Sequence, residues 1–257
     1  MSSPYSGPIL ELNDISFRYP GGPTVVPGLS LSIGNGEFIG LLGANGSGKS
    51  TVLKLAAGML RPDRGSVHLW NKPLAAYGNR DRAKLLCYFP QHLDVSVPFT
   101  VREVVGMGLY PYDIPPRLTV DDAMDLVGLA DKAGSFLPTL SGGERRRVFI
   151  AMTLIQGAGI LLLDEPLANL DIKYQIELLR LLWRLKEEKG ISVIMALHDI
   201  NVALQFEKVL LIKDGAMLGS GEPQSVLTGA TIKDAFDVDI ELRKGDHGTY
   251  LAHERWF

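Results

Sequence analysis

Nine residues, Gly43-Ala44-Asn45-Gly46-Ser47-Gly48-Lys49-Ser50-Thr51, constrain this chain more than any other stretch, because they match G-x-x-x-x-G-K-[ST] without a gap. Glycines at this spacing let the main chain turn so that several N–H groups point inward at one anion. A helix starting near Gly48 adds the positive end of its dipole. Lys49 is then placed for the β- and γ-phosphates of a nucleoside triphosphate, and Ser50 for Mg²⁺. The flanks agree: residues 37–42 (EFIGLL) read as a buried strand entering the loop, and residues 50–58 as a helix leaving it. Strand, glycine loop and helix form the context in which the pattern carries meaning.

The rest of the chain supplies polar residues at the ends of apolar runs. Residues 160–163 are four consecutive apolar residues, which suits a central parallel strand covered on both faces, and the run stops at Asp164-Glu165. Ligands of such sheets sit beyond the carboxyl ends of the strands. One acid there serves to hold Mg²⁺ and the next to polarise an attacking water. A second buried run, residues 192–197, ends at His198, and a third, residues 86–89, leads through Pro90 to Gln91, whose amide reaches a metal-bound water or a neighbouring loop. Leu140-Ser141-Gly142-Gly143-Glu144 opens a helix to about residue 156, with Ser141 as N-cap and glycine N–H groups open to an anion. Arg145, Arg146 and Arg147 follow and read as a solvated basic helix face. Tyr19, just before the turn at residues 20–23, is an aromatic suited either to an adenine ring or to packing on its own strand.

Around these features the periodicity predicts strands at 9–19, 29–33 and 66–70, a helix at 79–85, and helical pieces at 100–107 and 119–127 between prolines 98, 111, 115, 116 and 138. A helix over 171–189 has Leu178, Leu179, Leu182 and Leu185 on its apolar side. A hairpin follows at 208–219, turning at Asp214-Gly215, then short helices at 223–227 and 230–236 and a last strand at 238–242. The tail 243–257 carries no signal.

A formal charge of −3 and a pI near 6.0 give no general basic field, which disfavours nucleic acid as a partner bound through overall charge and leaves only a local basic patch for it. Cys87 is the single cysteine, which rules out an intramolecular disulfide; in a strand it reads as a buried, inert thiol. No apolar run reaches membrane-span length and the N-terminus lacks the regions of a secretion signal. A cytoplasmic chain is expected, peripheral on the inner face of the membrane if a permease recruits it.

Six features in order (Tyr19, Gly43 to Thr51, Gln91, Leu140 to Glu144, residues 160–165, and His198) resemble the nucleotide-binding subunit of ATP-binding cassette transporters, and the likeness runs through almost the whole chain. It implies an α/β fold: a P-loop NTPase (RecA-like) core with an N-terminal antiparallel β subdomain and an inserted α-helical subdomain. The chain, 1–257, would be one such domain, with core residues 1–91 and 157–257 and the helical insertion at about 92–156. The resemblance also implies residue roles: Tyr19 stacked on adenine; Gly43, Asn45, Gly46, Ser47, Gly48, Lys49, Ser50 and Thr51 around the phosphates. Gln91 would be the coupling glutamine, Asp164 would organise Mg²⁺ with Ser50 and Gln91, Glu165 would be the general base, and His198 would contact the γ-phosphate. Ser141, Gly142, Gly143 and Glu144 would face ATP held by a second copy of the chain in a head-to-tail homodimer, with Asp171 near the same junction. Membrane permease subunits, and indirectly a substrate-binding protein outside the membrane, complete the implied assembly.

Looser patterns, Pro98 to Val105 with Tyr110-Pro111, His198 to Asn201, and Phe236 to Asp239, are similar to importers of iron–siderophores, haem and cobalamin. The stretch between Pro111 and Thr119 is short for that group, and Ala168 stands where Ser or Asn is common. Two other functions compete: a soluble cassette ATPase of cluster assembly or chromosome maintenance without a permease, and a nucleotide-gated scaffold. The intact Glu165 and His198 speak against the scaffold.

Overall fold

Alternation of apolar and polar residues builds the first sheet. In β1 (Leu10–Arg18) the buried residues are Leu10, Leu12, Ile15 and Phe17. The period of two slips once, at a bulge where Asp14 takes φ 50° and the register shifts between Leu12 and Ile15. β1 pairs antiparallel with β2 (Thr24–Ile33), Leu12 opposite Leu31, and on its other side with residues 64–69. Next in the chain come β3 (Phe38–Leu42), buried at all five positions, α1 (Lys49–Ala56), β4 (Arg64–Leu69) and β5 (Lys72–Pro73). The strand expected at 66–70 ends one residue early: Trp70 and Asn71, at φ 46° and 59°, form the tight turn into β5. Two successive positive φ values match the twist that an antiparallel hairpin needs. The sheet order is β2-β1-β4-β5.

The computed structural model describes residues 7–91, 98–114, 118–245 and 248–252. Pro115 and Pro116, within the stretch noted between Pro111 and Thr119, lie outside those residues, as do His92 and the ends of the chain. The described chain divides into two compact units, residues 1–75 with 194–257, and residues 76–193.

The second unit opens with α2 (Asn79–Leu85) and β6 (Leu86–Phe89) and continues through α3 (Val101–Gly106), α4 (Val120–Leu126) and α5 (Gly142–Ile155). Each of the last three starts at a reciprocal cap, Thr100 with Glu103, Thr119 with Asp122 and Ser141 with Glu144, which satisfies two first-turn N–H groups at once. α3 and α4 pack on α5, and Val104, Val105, Ala123, Met124, Val148 and Ala151 of these helices are all buried. Burying a side chain of Val or Met size contributes about 1.5–3 kcal/mol. β7 (Ile160–Asp164) runs parallel to β6, with Leu86 opposite Ile160 and Phe89 opposite Leu163. α6 (Ile172–Lys189) ends at Gly190 in the left-handed conformation. Its buried face differs from the expected one: Leu178, Leu181 and Leu182 are buried, while Leu179 and Leu185 are half-buried.

β8 (Ser192–Leu197) leads back to the first unit, where its end neighbours β3, followed by α7 (Ile200–Ala203), β9 (Lys208–Lys213) and β10 (Ala216–Gly221). β9 is parallel to β3, Leu41 opposite Leu210, and turns antiparallel into β10 at Asp214-Gly215. α8 (Pro223–Val226) and α9 (Gly229–Phe236) follow. The last strand begins later than expected, as β11 (Glu241–Gly245), and the tail that seemed silent in sequence pairs with it as β12 (Gly248–Ala252). No described helix is long and apolar enough to cross a membrane.

Candidate functional site: a phosphate loop and an acidic strand end

In the first unit, β3 stops at Leu42 and the chain enters the glycine loop. α1 begins at Lys49 because Gly48, its N-cap at φ 98°, takes a conformation that L side chains rarely adopt. Lys49 is buried, and its ammonium donates to the carbonyls of Gly43 at 2.8 Å and Ala44 at 2.9 Å. The cation is thus held on the carbonyls of its own loop. Asn45 and Gly46 stand exposed at the loop's tip, and a Cβ on Gly46 would meet open space. The Ser47 hydroxyl is buried without a hydrogen-bond partner, while its carbonyl accepts the Gly215 N–H at 2.8 Å. The β9–β10 turn therefore buttresses the loop, a tie that sequence reading missed because the partners are far apart in the chain.

Tyr19 is 40% exposed, packs edge-on against Phe17 with ring centroids 4.9 Å apart, and has its hydroxyl 3.3 Å from that of Thr51. Its ring thus packs on its own strand, as one of the two expectations had it, while part of it remains exposed. His198 is exposed directly after β8. Asp199 behind it caps α7, accepting from Asn201 N–H at 2.8 Å.

In the second unit the acids stand where the apolar run ends. Asp164, 1% exposed, accepts the Tyr88 hydroxyl at 3.0 Å. Glu165 adopts φ 48°, a left-handed conformation that costs a non-glycine residue about 1–2 kcal/mol. Its carboxylate accepts the Gln91 amide at 2.9 Å, so the structure brings Gln91 and Glu165 together.

Arg146 and Arg147 overturn the reading of a solvated basic face. Both are buried. Arg146 donates to the carbonyls of Pro166 at 2.8 Å, Gln91 at 3.2 Å and Glu165. Burial lowers its pKa, and the charges of Glu165 and Asp164 oppose that shift. Arg147 donates to the carbonyls of Val127 and Gly128 at the end of α4 and stacks 3.9 Å over the Tyr174 ring. The signal was present in the spacing: Arg146 shares a helix face with Phe149, Ile150 and Thr153, and Arg147 with Ile150, Ala151 and Leu154, all buried.

At the start of α5 the Ser141 hydroxyl accepts the Glu144 N–H at 3.3 Å, and the Glu144 carboxylate accepts the Ser141 N–H at 2.8 Å. Glu144 also pairs with Lys132; that contact first, and Ser141 second, hold its carboxyl at about 2. Helix geometry leaves the N–H groups of Gly142 and Gly143 without an intrahelical acceptor. A Cβ on Gly143 would lie 3.5 Å from the Asn169 carbonyl, so this glycine sits close to the turn before α6. Asp171 is the exposed N-cap of α6 and uses its backbone carbonyl, not its side chain, to receive Gln175 N–H. Cys87 is buried as expected, its thiol pushed up to about 12 by desolvation.

The family model described as ABC transporter matches residues 26–168, from β2 through the acidic strand end. The chain belongs to the ABC transporter family. It is an ATP-binding ATPase of the P-loop NTPase fold. It is 39% identical to the hemin import ATP-binding protein HmuV of Rhodopseudomonas palustris, over 89% of this chain and 88% of that one. It is 30% identical to the petrobactin import ATP-binding protein YclP of Bacillus subtilis, over 95% and 100%. Among solved structures, it is similar to a dimeric ATP-binding cassette in a post-hydrolysis state bound to ADP and Pi (27% identity, TM-score 0.77, 83% and 98% covered). An inward-facing ABC transporter shares the fold at 24% identity (TM-score 0.78, 95% and 96% covered).

Proposed function

We propose that this cassette ATPase powers import of a haem or ferric-siderophore type metal chelate through a separate membrane permease, working as a homodimer on the cytoplasmic face. The observation that carries the reading is the likeness to hemin and petrobactin import ATP-binding proteins along nearly the whole chain.

Lys49 and the main-chain N–H groups of residues 43–51 bind the phosphates, and Tyr19 offers its open ring face to adenine. Glu165 accepts a proton from the attacking water at a carboxylate oxygen, with Gln91 orienting that carboxylate through the bond described. His198 meets the γ-phosphate. Ser141, Gly142 and Gly143 present first-turn donors to ATP held by the other copy, Glu144 fixing that turn, and Asp171 stands at the same junction.

Among the described residues no cluster of three His, Cys, Asp or Glu side chains could hold a metal unaided. The donors assigned here, the Ser50 hydroxyl, the Asp164 carboxylate and the Gln91 amide oxygen, are hard oxygens that suit Mg²⁺, an ion that keeps waters and takes phosphate ligands. Held by such donors, Mg²⁺ would supply charge neutralisation for phosphoryl transfer.

The test is affinity purification of the tagged chain from its native membranes with mild detergent, followed by chelate uptake in cells lacking it. A polytopic membrane protein in the complex and loss of haem or ferric-siderophore uptake are expected. A purely soluble complex with normal uptake would contradict the reading.

A further inference from the structure

Arg146 sits five residues beyond Ser141 on α5, and its guanidinium hydrogen-bonds to main-chain carbonyls, with the charges of Glu165 and Asp164 acting on it as well. Nε donates to Pro166 O at 2.8 Å, Nη1 to Gln91 O at 3.2 Å, and Nη2 to Glu165 O. From β6 the Phe89 ring lies beside the group, its centroid 5.2 Å from the guanidinium carbon. Its side chain is only 5% exposed. The three carbonyls belong to the two residues whose side chains meet in the Gln91–Glu165 hydrogen bond, and to the proline that follows. Glu165 itself holds a left-handed φ of 48°, and its carbonyl also receives the Ala168 N–H at 3.2 Å. An unfavourable backbone conformation persists only where surrounding bonds over-determine it, and it marks places where geometry matters to function.

We infer that Arg146 is a positioning residue for hydrolysis, a three-point clamp that holds the strained Glu165 backbone and the Gln91 backbone in the one arrangement where the amide meets the carboxylate. The inference rests on the reading of Glu165 as the base. It adds a consequence: α5, the helix that begins at Ser141, is tied through one buried side chain to the residue that activates water. Lysine cannot substitute, because an ammonium is a point donor without the planar fork that reaches carbonyls on three sides.

The test compares the full-length chain with Arg146→Lys, Arg146→Ala and Glu165→Gln, measuring kcat, KM, ATP affinity and amide hydrogen exchange at residues 165–168. Arg146→Lys is expected to lower kcat at least tenfold, with KM and ATP affinity within twofold, and to speed exchange at 165–168 by a similar factor. Millimolar guanidinium is expected to restore part of the kcat of Arg146→Ala without changing its KM or Tm, and a rescue that only raises Tm would mark a merely structural role; if that variant does not fold, the lysine variant carries the test. A kcat within twofold of wild type in Arg146→Lys, a rise in KM at unchanged kcat, or unchanged exchange would each overturn the clamp. Full turnover in Glu165→Gln would instead overturn the base assignment and the clamp's catalytic purpose with it. Loss of turnover there beside a fully active Arg146→Lys would overturn the clamp alone.

Discussion

Gly215 and Gly21 have nearly the same φ, 74° and 73°, yet opposite surroundings. A Cβ on Gly21 would meet nothing within 4 Å, whereas one on Gly215 would lie 1.8 Å from the Val25 carbonyl oxygen and 2.8 Å from Val26 Cα. Ordinary contact starts at 3.4 Å, so the Gly215 turn would have to move by about 1.6 Å, and main chain cannot yield as a side chain does. Gly21→Ala should therefore cost only the dihedral penalty, about 1–2 kcal/mol. Gly215→Ala adds overpacking of about 1–3 kcal/mol. It also loses the bond from its N–H to Ser47 O, worth about 1 kcal/mol. For a chain of this size the first difference lowers Tm by about 3–6 °C and the second by about 10 °C or more. Thermal unfolding of both variants reads the contrast, and equilibrium binding of ATP reads its consequence, since releasing Ser47 O loosens the phosphate loop and should weaken affinity at least fivefold. Equal Tm values for the two alanines would refute the argument, because they would show that conformation alone, and not the space beside β2, fixes glycine at the turn.

Two further outcomes follow from particular contacts. Glu144 has its carboxyl lowered from 4.5 to about 2 by Lys132 and Ser141, so its stabilisation is complete above the unfolded value of 4.5 and is lost as pH falls through about 2. Glu144→Gln should lower Tm by about 2–4 °C at pH 7, the cost of a weakened cap, and the gap from wild type should close below pH 4.5; a gap that widens on acidification would contradict the sign. Tyr88→Phe removes the hydroxyl that donates to buried Asp164 and should cost about 1–3 kcal/mol in denaturant unfolding, with ATP affinity measured without Mg²⁺ unchanged; a neutral substitution would mean the phenol does not orient that acid.

The parts of this molecule written in short-range pattern were legible in its sequence. The strand–loop–helix around Gly43 to Thr51, the apolar run stopping at Asp164-Glu165 and the Ser141 cap all depend on neighbours within a few residues, and each lies where the spacing put it. What escaped depends on distance in the chain. Arg146 and Arg147 read as solvated because three adjacent charges outweighed their helical spacing, and nothing local announces that Gln91, Glu165 and Pro166 carbonyls wait for one of them. The left-handed turn at Glu165 is equally silent, since glutamate is not a residue that marks positive φ. Leu181 was missed, and Leu179 and Leu185 overvalued, because a leucine-rich helix offers several apolar stripes and only the partner surface selects among them. Of the final hairpin only the first strand was legible, and it was placed about three residues early; its partner, Gly248–Ala252, becomes a strand by pairing with Glu241–Gly245, not by alternation strong enough to stand out.

The central claim is that Glu165, oriented by Gln91, accepts the proton of the attacking water on ATP held at Lys49. Single-turnover phosphate release by wild type and Glu165→Gln, with ATP binding measured on the same preparations, tests it most directly. The expected result is ATP bound with affinity within twofold and phosphate release slowed at least a hundredfold in the variant. Phosphate release at the wild-type rate with ATP bound normally would contradict it.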